Sequence, residues 1–211
     1  MGSLQPLIDK LRDEHTLTHD ELVRMFTERN PEDSEYMRAI AQQTAVANYG
    51  HDIFLRGLIE FTNYCRNDCY YCGIRRSNTR ADRYRLTADE ILECCDIGYG
   101  FGLRTFVLQV GEDMTYKDEE FCGLIKEIKS RYPDCAVTLS VGERSRETYE
   151  AYYAAGADRY LLRHETSSPG HYAKLHPAEL SIENRKRCLR DLKDIGFQIG
   201  AGFMVCSPYQ T

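Results

Sequence analysis

The chain has 211 residues, of which 27 are basic and 33 acidic, giving a formal net charge of -6. This charge argues against a broad nucleic-acid surface, and no stretch reaches the roughly 20 apolar residues of a membrane span. Because the composition is 42% hydrophobic and 28% charged, as in folded globular proteins, we expect a cytoplasmic protein that binds neither nucleic acid nor membrane.

Two patterns of hydrophobic residues divide the chain. Apolar side chains at helical spacing over residues 4–48 predict an N-terminal helical cap, assigned to residues 1–50. From residue 51 onward, short β-rich runs alternate with amphipathic segments. Five strands are predicted, at residues 53–61, 105–110, 136–141, 159–163 and 198–205. Helices are predicted between them at residues 87–99, 118–131, 145–155 and 181–195. A capping box, Thr87 with Glu90 three residues later, opens the first of these helices.

Strands and helices that alternate in this order predict parallel strands joined by helical crossovers, and hence an α/β fold. We expect residues 51–211 to form a partial β/α barrel of the TIM type with about five parallel strands. A closed barrel of this kind usually needs about 250 residues. Since the sequence stops at Thr211, directly after the fifth predicted strand, the barrel is expected to be C-terminally incomplete.

Nine cysteines in a chain without a secretion signal argue against a disulfide framework and favour metal binding. Three of them, Cys65, Cys69 and Cys72, form a CxxxCxxC set in the loop after the first predicted strand. A four-iron cluster with only three cysteine ligands keeps one iron open to a small molecule, whereas four ligands normally make an electron carrier. The spacing therefore predicts an iron-sulfur centre with an open iron.

Two other interpretations of this cysteine set remain open. A zinc site would need a fourth ligand, and the nearest later candidates are Cys94 and Cys95 in a predicted helix, or His51 before the loop. Ordinary burial of the three cysteines fits poorly with a loop that also contains the polar residues 66–68. The cysteines in helix or strand patterns are expected to be small core residues: Cys94, Cys95, Cys122, Cys135 and Cys188.

The CxxxCxxC spacing, with Tyr71 before the last cysteine, resembles the signature of the radical S-adenosylmethionine (SAM) superfamily. The resemblance continues through residues 56–63, 73–78 and 84–87 and is similar to the group that contains the iron-iron hydrogenase maturase HydE, methylornithine synthase and biotin synthase. It implies that the three cysteines are the metal ligands and catalytic residues of a [4Fe-4S] cluster. It also implies SAM as a cofactor, cleaved reductively to a 5'-deoxyadenosyl radical.

The resemblance further implies a set of SAM-binding residues: Tyr71, Gln109, Gly111, Glu112, Thr138, Ser140, Arg163, Glu165 and Arg185. Period-two alternation places Arg163 and Glu165 on one side of the fourth predicted strand, and charged residues are rarely buried there without a partner or ligand. Thr138 and Ser140 share one strand face, although both also fit as ordinary strand residues. Arg185 could equally be an exposed helix charge.

Three functions follow as hypotheses. The first, implied by the resemblance, is a maturase for the hydrogenase active-site cluster, with a small-molecule or organometallic substrate. Its partners would be an external electron donor and other hydrogenase maturases. The second is a related radical SAM enzyme that acts on an amino-acid skeleton, as methylornithine synthase does. The third is a non-catalytic metal-binding module whose metal stabilises the fold.

Overall fold

The computed structural model describes residues 3–210, so Met1, Gly2 and Thr211, at the ends of the two predicted domain ranges, lie outside the described residues. The chain divides into two compact units, one that ends at Phe54 and one that begins at Leu55. Within residues 3–210, no helix combines the length and the apolar character needed to cross a membrane.

The N-terminal unit contains three helices: α1 (Gln5–Glu14), α2 (His19–Thr27) and α3 (Pro31–Tyr49). Helix α2 begins with a capping box in which Thr18 and Glu21 exchange side-chain and backbone hydrogen bonds. Asp33 is buried, and its carboxylate accepts a hydrogen bond of 3.0 Å from the backbone N–H of Leu4 at the start of α1. The Asp33 contact ties the first turn of α3 to the start of α1.

The second unit is an α/β structure with five parallel strands. Its strands are β1 (Gly57–Ile59), β2 (Thr105–Gln109), β3 (Ala136–Ser140), β4 (Arg159–Leu161) and β5 (Gln198–Gly200). Its helices are α4 (Ala88–Gly100), α5 (Asp118–Arg131), α6 (Arg146–Ala154), α7 (Pro169–Leu175) and α8 (Ile182–Ile195). The strands pair in the order β1-β2-β3-β4-β5, and the sheet does not close on itself. This confirms the predicted partial barrel of five parallel strands.

The elements differ from the prediction at the first, fourth and fifth strands and at α7. Strands β4 and β5 end at Leu161 and Gly200 and not at residues 163 and 205, and beyond them the two segments meet only in an isolated bridge between Glu165 and Phe203. Residues 53–56 fit a strand pattern but lie outside the sheet, because apolar composition alone does not supply a neighbouring backbone to pair with. Helix α7 is not predicted at all, since a helix of seven residues is too short to show a helical period. It begins after Ser168, whose side chain accepts a hydrogen bond from the backbone N–H of His171.

The two faces of the sheet have different roles. One face packs against the helices and is fully buried at Phe106 and Leu108 in β2 and at Val137 and Leu139 in β3. Alternate residues point to the opposite, half-buried face, which places the carboxyl-end residues of adjacent strands side by side. This second face is therefore free to carry a binding site.

The predicted core cysteines are not all buried. Cys95, Cys135 and Cys188 are buried and Cys122 is half-buried, whereas Cys94 is exposed. Consecutive residues of a helix lie about 100° apart around its axis, so Cys94 and Cys95 cannot both face the core. The prediction of a core position for Cys94 was wrong for this reason.

Candidate active site

A cavity of about 300 Å³ opens at the carboxyl ends of the strands in the second unit. Such edges of parallel sheets are where α/β proteins usually bind ligands, because several loops converge there. All of the predicted site residues except Thr138 line this cavity. Thr138 lies on the same strand face as Ser140 but two residues further from the strand end, where it pairs in register with Val107 and Arg159.

The cysteine loop is fastened to the turn that follows β2. The Cys65 sulfur accepts hydrogen bonds from the backbone N–H groups of Glu112 at 3.3 Å and Asn67 at 3.4 Å. A Cβ atom on Gly111 would lie 2.6 Å from the Cβ of Cys65, which is closer than two non-bonded carbon atoms can approach. Glycine at position 111 thus lets the two turns touch, and this contact aims Cys65 into the cavity.

The three thiols fit the ligand set of a cluster. None forms a disulfide, and all three line the same cavity. Burial raises the pKa of Cys65, and it raises that of Cys69 to about 11, so metal binding must displace their protons. Backbone N–H donors at the Cys65 sulfur suit a thiolate ligand. Among the described residues, no three His, Cys, Asp or Glu side chains are grouped around a position for one metal ion.

Glu112 joins the cysteine loop to the turn after β3. Its carboxylate is 4% exposed and accepts hydrogen bonds from Arg66 at 3.0 Å and from the backbone N–H of Glu143 at 3.0 Å. Gly142 has a φ of +81°, and a Cβ atom there would lie 2.1 Å from Cγ of Glu112. Glu112, which the resemblance assigns to SAM binding, therefore connects the turns after β2 and β3.

A largely buried cation, that of Arg185, lines the cavity. The Arg185 side chain on α8 is 12% exposed, and its Nε donates to Glu143 at 2.5 Å. Its Nη1 donates to the carbonyl oxygen of Arg163 at 2.9 Å. The amide of Asn184 also donates to the Glu143 carboxylate. Arg185 therefore lines the cavity and is not an exposed helix charge.

Glu165 and Gln109 present polar groups to the same cavity. Glu165 follows β4 with a φ of +63°, and its backbone pairs with Phe203 in an isolated parallel bridge. Burial raises the pKa of its carboxyl, opposed by the charges of Arg163 and Arg185. The amide of Gln109 at the end of β2 donates to the Glu60 carboxylate at 3.3 Å. The cavity therefore offers both charge signs to a zwitterionic ligand.

Tyr71 is held by a residue that the sequence did not single out. Its hydroxyl lies 3.0 Å from Nε2 of His176, which follows α7. Glu143, the counter-ion of Arg185, was also not predicted as a site residue. A signal for Glu143 was available, because it is a carboxylate three residues after the end of a parallel strand, and loops there lie at the ligand edge. No comparable signal marked His176, because α7 itself was not predicted.

The contact between Gly111 and Cys65 makes a testable prediction. The Gly111→Ala variant forces the cysteine loop away from β2, so we expect bound iron per chain after anaerobic reconstitution to fall at least about twofold. Gly73→Ala, in the cysteine loop itself, is the matched control, because a Cβ at that position meets nothing within 4 Å. Equal iron contents in the two variants would refute the role assigned to Gly111.

Comparisons with known proteins agree with this architecture. Over 178 residues the chain is 46% identical to the [FeFe] hydrogenase maturase subunit HydE of Thermotoga maritima, covering 84% of this chain and 50% of that protein. The crystal structure of methylornithine synthase (PylB) superposes with a TM-score of 0.81 at 28% identity, covering 93% of this chain and 58% of that one. The fold also matches HydG, a maturase of the [FeFe]-hydrogenase, with a TM-score of 0.83 at 22% identity, over 95% of this chain and 46% of that one.

The chain spans about half the length of the curated relatives it matches. Residues 59–211 match the radical SAM superfamily, and this region includes the three cysteines and every other residue that lines the cavity. The chain belongs to the radical SAM superfamily.

Proposed function

We propose that the cavity binds a [4Fe-4S] cluster through Cys65, Cys69 and Cys72, with SAM beside it. The observation that carries the proposal is the convergence of three unpaired cysteines and the buried Arg185 on one cavity. When bound, the cluster would supply the electron for reductive cleavage of SAM to methionine and a 5'-deoxyadenosyl radical. An external donor protein would return that electron.

The chain's own residues would bind and orient SAM. Arg185 lines the cavity, and because its Nε and Nη1 already donate to Glu143 and to the Arg163 carbonyl, its Nη2 would donate a charge-assisted hydrogen bond to the SAM carboxylate. Glu165, half-buried and facing the same cavity, provides an acceptor for an ammonium or ribose hydroxyl. Tyr71, next to Cys72, offers an aromatic ring to the adenine. Gln109, Gly111, Glu112, Ser140 and Arg163 complete the proposed SAM contacts, whereas Thr138, outside the cavity lining, would support the strand face.

The substrate proposal rests on the similarity to HydE. At 46% identity, we propose that the protein acts in assembly of the [FeFe]-hydrogenase active-site cluster, on a small-molecule or organometallic substrate and together with other maturases. A second candidate is a synthase that acts on an amino-acid skeleton, supported by the similarity to methylornithine synthase in sequence and in structure. Detection of 3-methylornithine as the product by mass spectrometry would favour this second candidate.

The role of the cysteines can be tested by SAM cleavage. With dithionite as reductant, we expect the reconstituted chain to release 5'-deoxyadenosine from SAM and the Cys69→Ala variant to release at least about 100-fold less, because a cluster ligand is lost. The product is measured by liquid chromatography. Cys94→Ala is the control, since Cys94 is an exposed cysteine outside the cavity. Cleavage by Cys69→Ala at the rate of the control would contradict the proposal.

The role of Arg185 predicts a loss of SAM affinity. Arg185→Lys keeps the charge but removes the planar fork, so we expect the dissociation constant for SAM to rise about tenfold, or about 1.4 kcal/mol. Equilibrium dialysis with the cluster-loaded protein measures this change. The matched control is Arg190→Lys, the same substitution at an exposed position of α8. Unchanged affinity in Arg185→Lys would show that Arg185 only supports Glu143.

A further inference from the structure

The residues around the cysteine loop carry a charge opposite to that of the rest of the chain. Residues 66–85 contain six arginines, two aspartates and no other charged side chain, which gives a formal net charge of +4. The remaining 21 basic and 31 acidic residues give a formal net charge of -10. A cationic segment in an otherwise acidic protein directs an acidic partner to one place on the surface.

Hydrogen bonds fold residues 74–80, which we call the arginine loop, back onto the cysteine loop. The backbone N–H of Arg76 donates to the carbonyl oxygen of Asn67 at 2.9 Å. The backbone N–H of Ser77 donates to the carboxylate of Asp68 at 3.0 Å. Both acceptors lie between the first two cysteines of the motif. The arginine loop is thus held directly against the segment that carries the proposed cluster ligands.

The guanidinium of Arg83 gives the arginine loop a fixed shape. It donates to the carbonyl oxygens of three loop residues, at 2.8 Å to Arg75, 3.0 Å to Ile74 and 3.1 Å to Asn78. It also donates to the carbonyl oxygen of Asn63, which precedes the cysteine loop. Arg83 therefore connects the two ends of this region, and its donors are directed to the backbone and not to solvent.

Two other arginines of the loop face solvent without a counter-ion. Arg76 and Arg80 are exposed, and neither forms an ion pair with any residue in the range 3–210. Arg66 and Arg85 of the same segment differ, because each pairs with a buried carboxylate of the turn after β2, at 2.9 and 2.6 Å. Exposed arginines are common on protein surfaces. These two are distinguished by their place on a loop that is fastened to the cysteine loop.

The side-chain types of this region are those of a protein interface. Tyr70, in the cysteine loop, is 60% exposed, while its backbone N–H donates to the Leu175 carbonyl oxygen at 3.0 Å. Tyrosine and arginine are enriched at protein interfaces, whereas lysine is depleted, and residues 66–85 contain no lysine. Weak redox encounters bury little surface, so a loop of this size suffices for one. Nucleic acid would need a broader basic surface than an otherwise acidic chain offers.

We propose that the arginine loop, through Arg76 and Arg80, is the docking surface for an acidic protein that carries single electrons, and that this donor reduces the cluster in the adjacent cysteine loop. The donor loses one electron, the cluster gains it, and no atom or proton is transferred. This inference rests on the proposed function, because it requires the cluster. It specifies the charge of the external donor and the place where it docks.

Reduction by a protein donor tests the docking surface. The probe is a reduced plant-type [2Fe-2S] ferredoxin, an acidic one-electron carrier. Stopped-flow spectroscopy measures the second-order rate constant with which the cluster-loaded, SAM-bound chain oxidises it. We expect the double variant Arg76→Glu with Arg80→Glu to lower this constant at least about tenfold at low ionic strength, because electrostatic steering is lost. At about 0.5 M salt the difference should shrink to less than about threefold, because salt screens these charges.

A charge-matched control separates the location from the net charge. Lys126→Glu with Arg190→Glu makes the same change in net charge at exposed positions of α5 and α8 and should keep the rate constant within about threefold of the unmodified chain. Both double variants should keep the iron content and the electron paramagnetic resonance (EPR) signal of the unmodified chain. Equal rate constants for the two double variants at low ionic strength would overturn the proposal.

A neutral double variant covers the case in which two glutamates disturb the loop. If Arg76→Glu with Arg80→Glu loses iron, Arg76→Gln with Arg80→Gln removes the charges without adding repulsion. We expect this variant to retain iron and to react with the ferredoxin at least about threefold more slowly than the unmodified chain. An unchanged rate constant in this variant would also overturn the proposal.

A small reductant separates this inference from the proposed function. Dithionite needs no docking surface, so it should drive equal release of 5'-deoxyadenosine in the unmodified chain and in the arginine-loop variants. If the unmodified chain takes up no cluster, or releases no 5'-deoxyadenosine with dithionite, both proposals fail. If dithionite supports cleavage but the ferredoxin reduces the arginine-loop variants as fast as the control, only the inference fails.

Discussion

The cavity depends on the close approach of two backbone turns at Gly111 and Cys65. Because position 111 has no side chain, the Cys65 sulfur can reach the backbone N–H of Glu112 and still face the cavity. The Glu112 carboxylate then extends the connection to Arg66 and to the turn after β3. Three consecutive βα connections are held together in this way, so the sheet helps to position the cysteine loop.

The charges in the cavity follow from the same arrangement. Glu143 is placed by the turn that Glu112 supports, and it holds Arg185 in a position where the guanidinium is largely shielded from water. A cation held in a low-dielectric site attracts an anionic group more strongly than an exposed one does. The site thus brings a cation and a half-buried carboxyl, that of Glu165, to one cavity.

Much of this architecture could be predicted from the sequence, but not all of it. The strands β2 and β3 follow from their apolar alternation, and the cysteine loop follows from its spacing. Helix α7 could not be predicted, because two helical turns show no period in the sequence. His176, which follows α7 and contacts Tyr71, was therefore not predicted as a site residue. The anchoring role of Glu112 also depends on Gly142 and Glu143, 30 residues or more away along the chain, and such contacts appear only once the strands are paired.

We propose that the cysteine loop holds a cluster with one iron that is open to SAM. EPR spectroscopy of the anaerobically reconstituted, dithionite-reduced chain, recorded with and without SAM, tests it most directly. We expect the signal of a reduced four-iron cluster that shifts when SAM is added. A chain that binds zinc instead, or a cluster signal that SAM leaves unchanged, would contradict it.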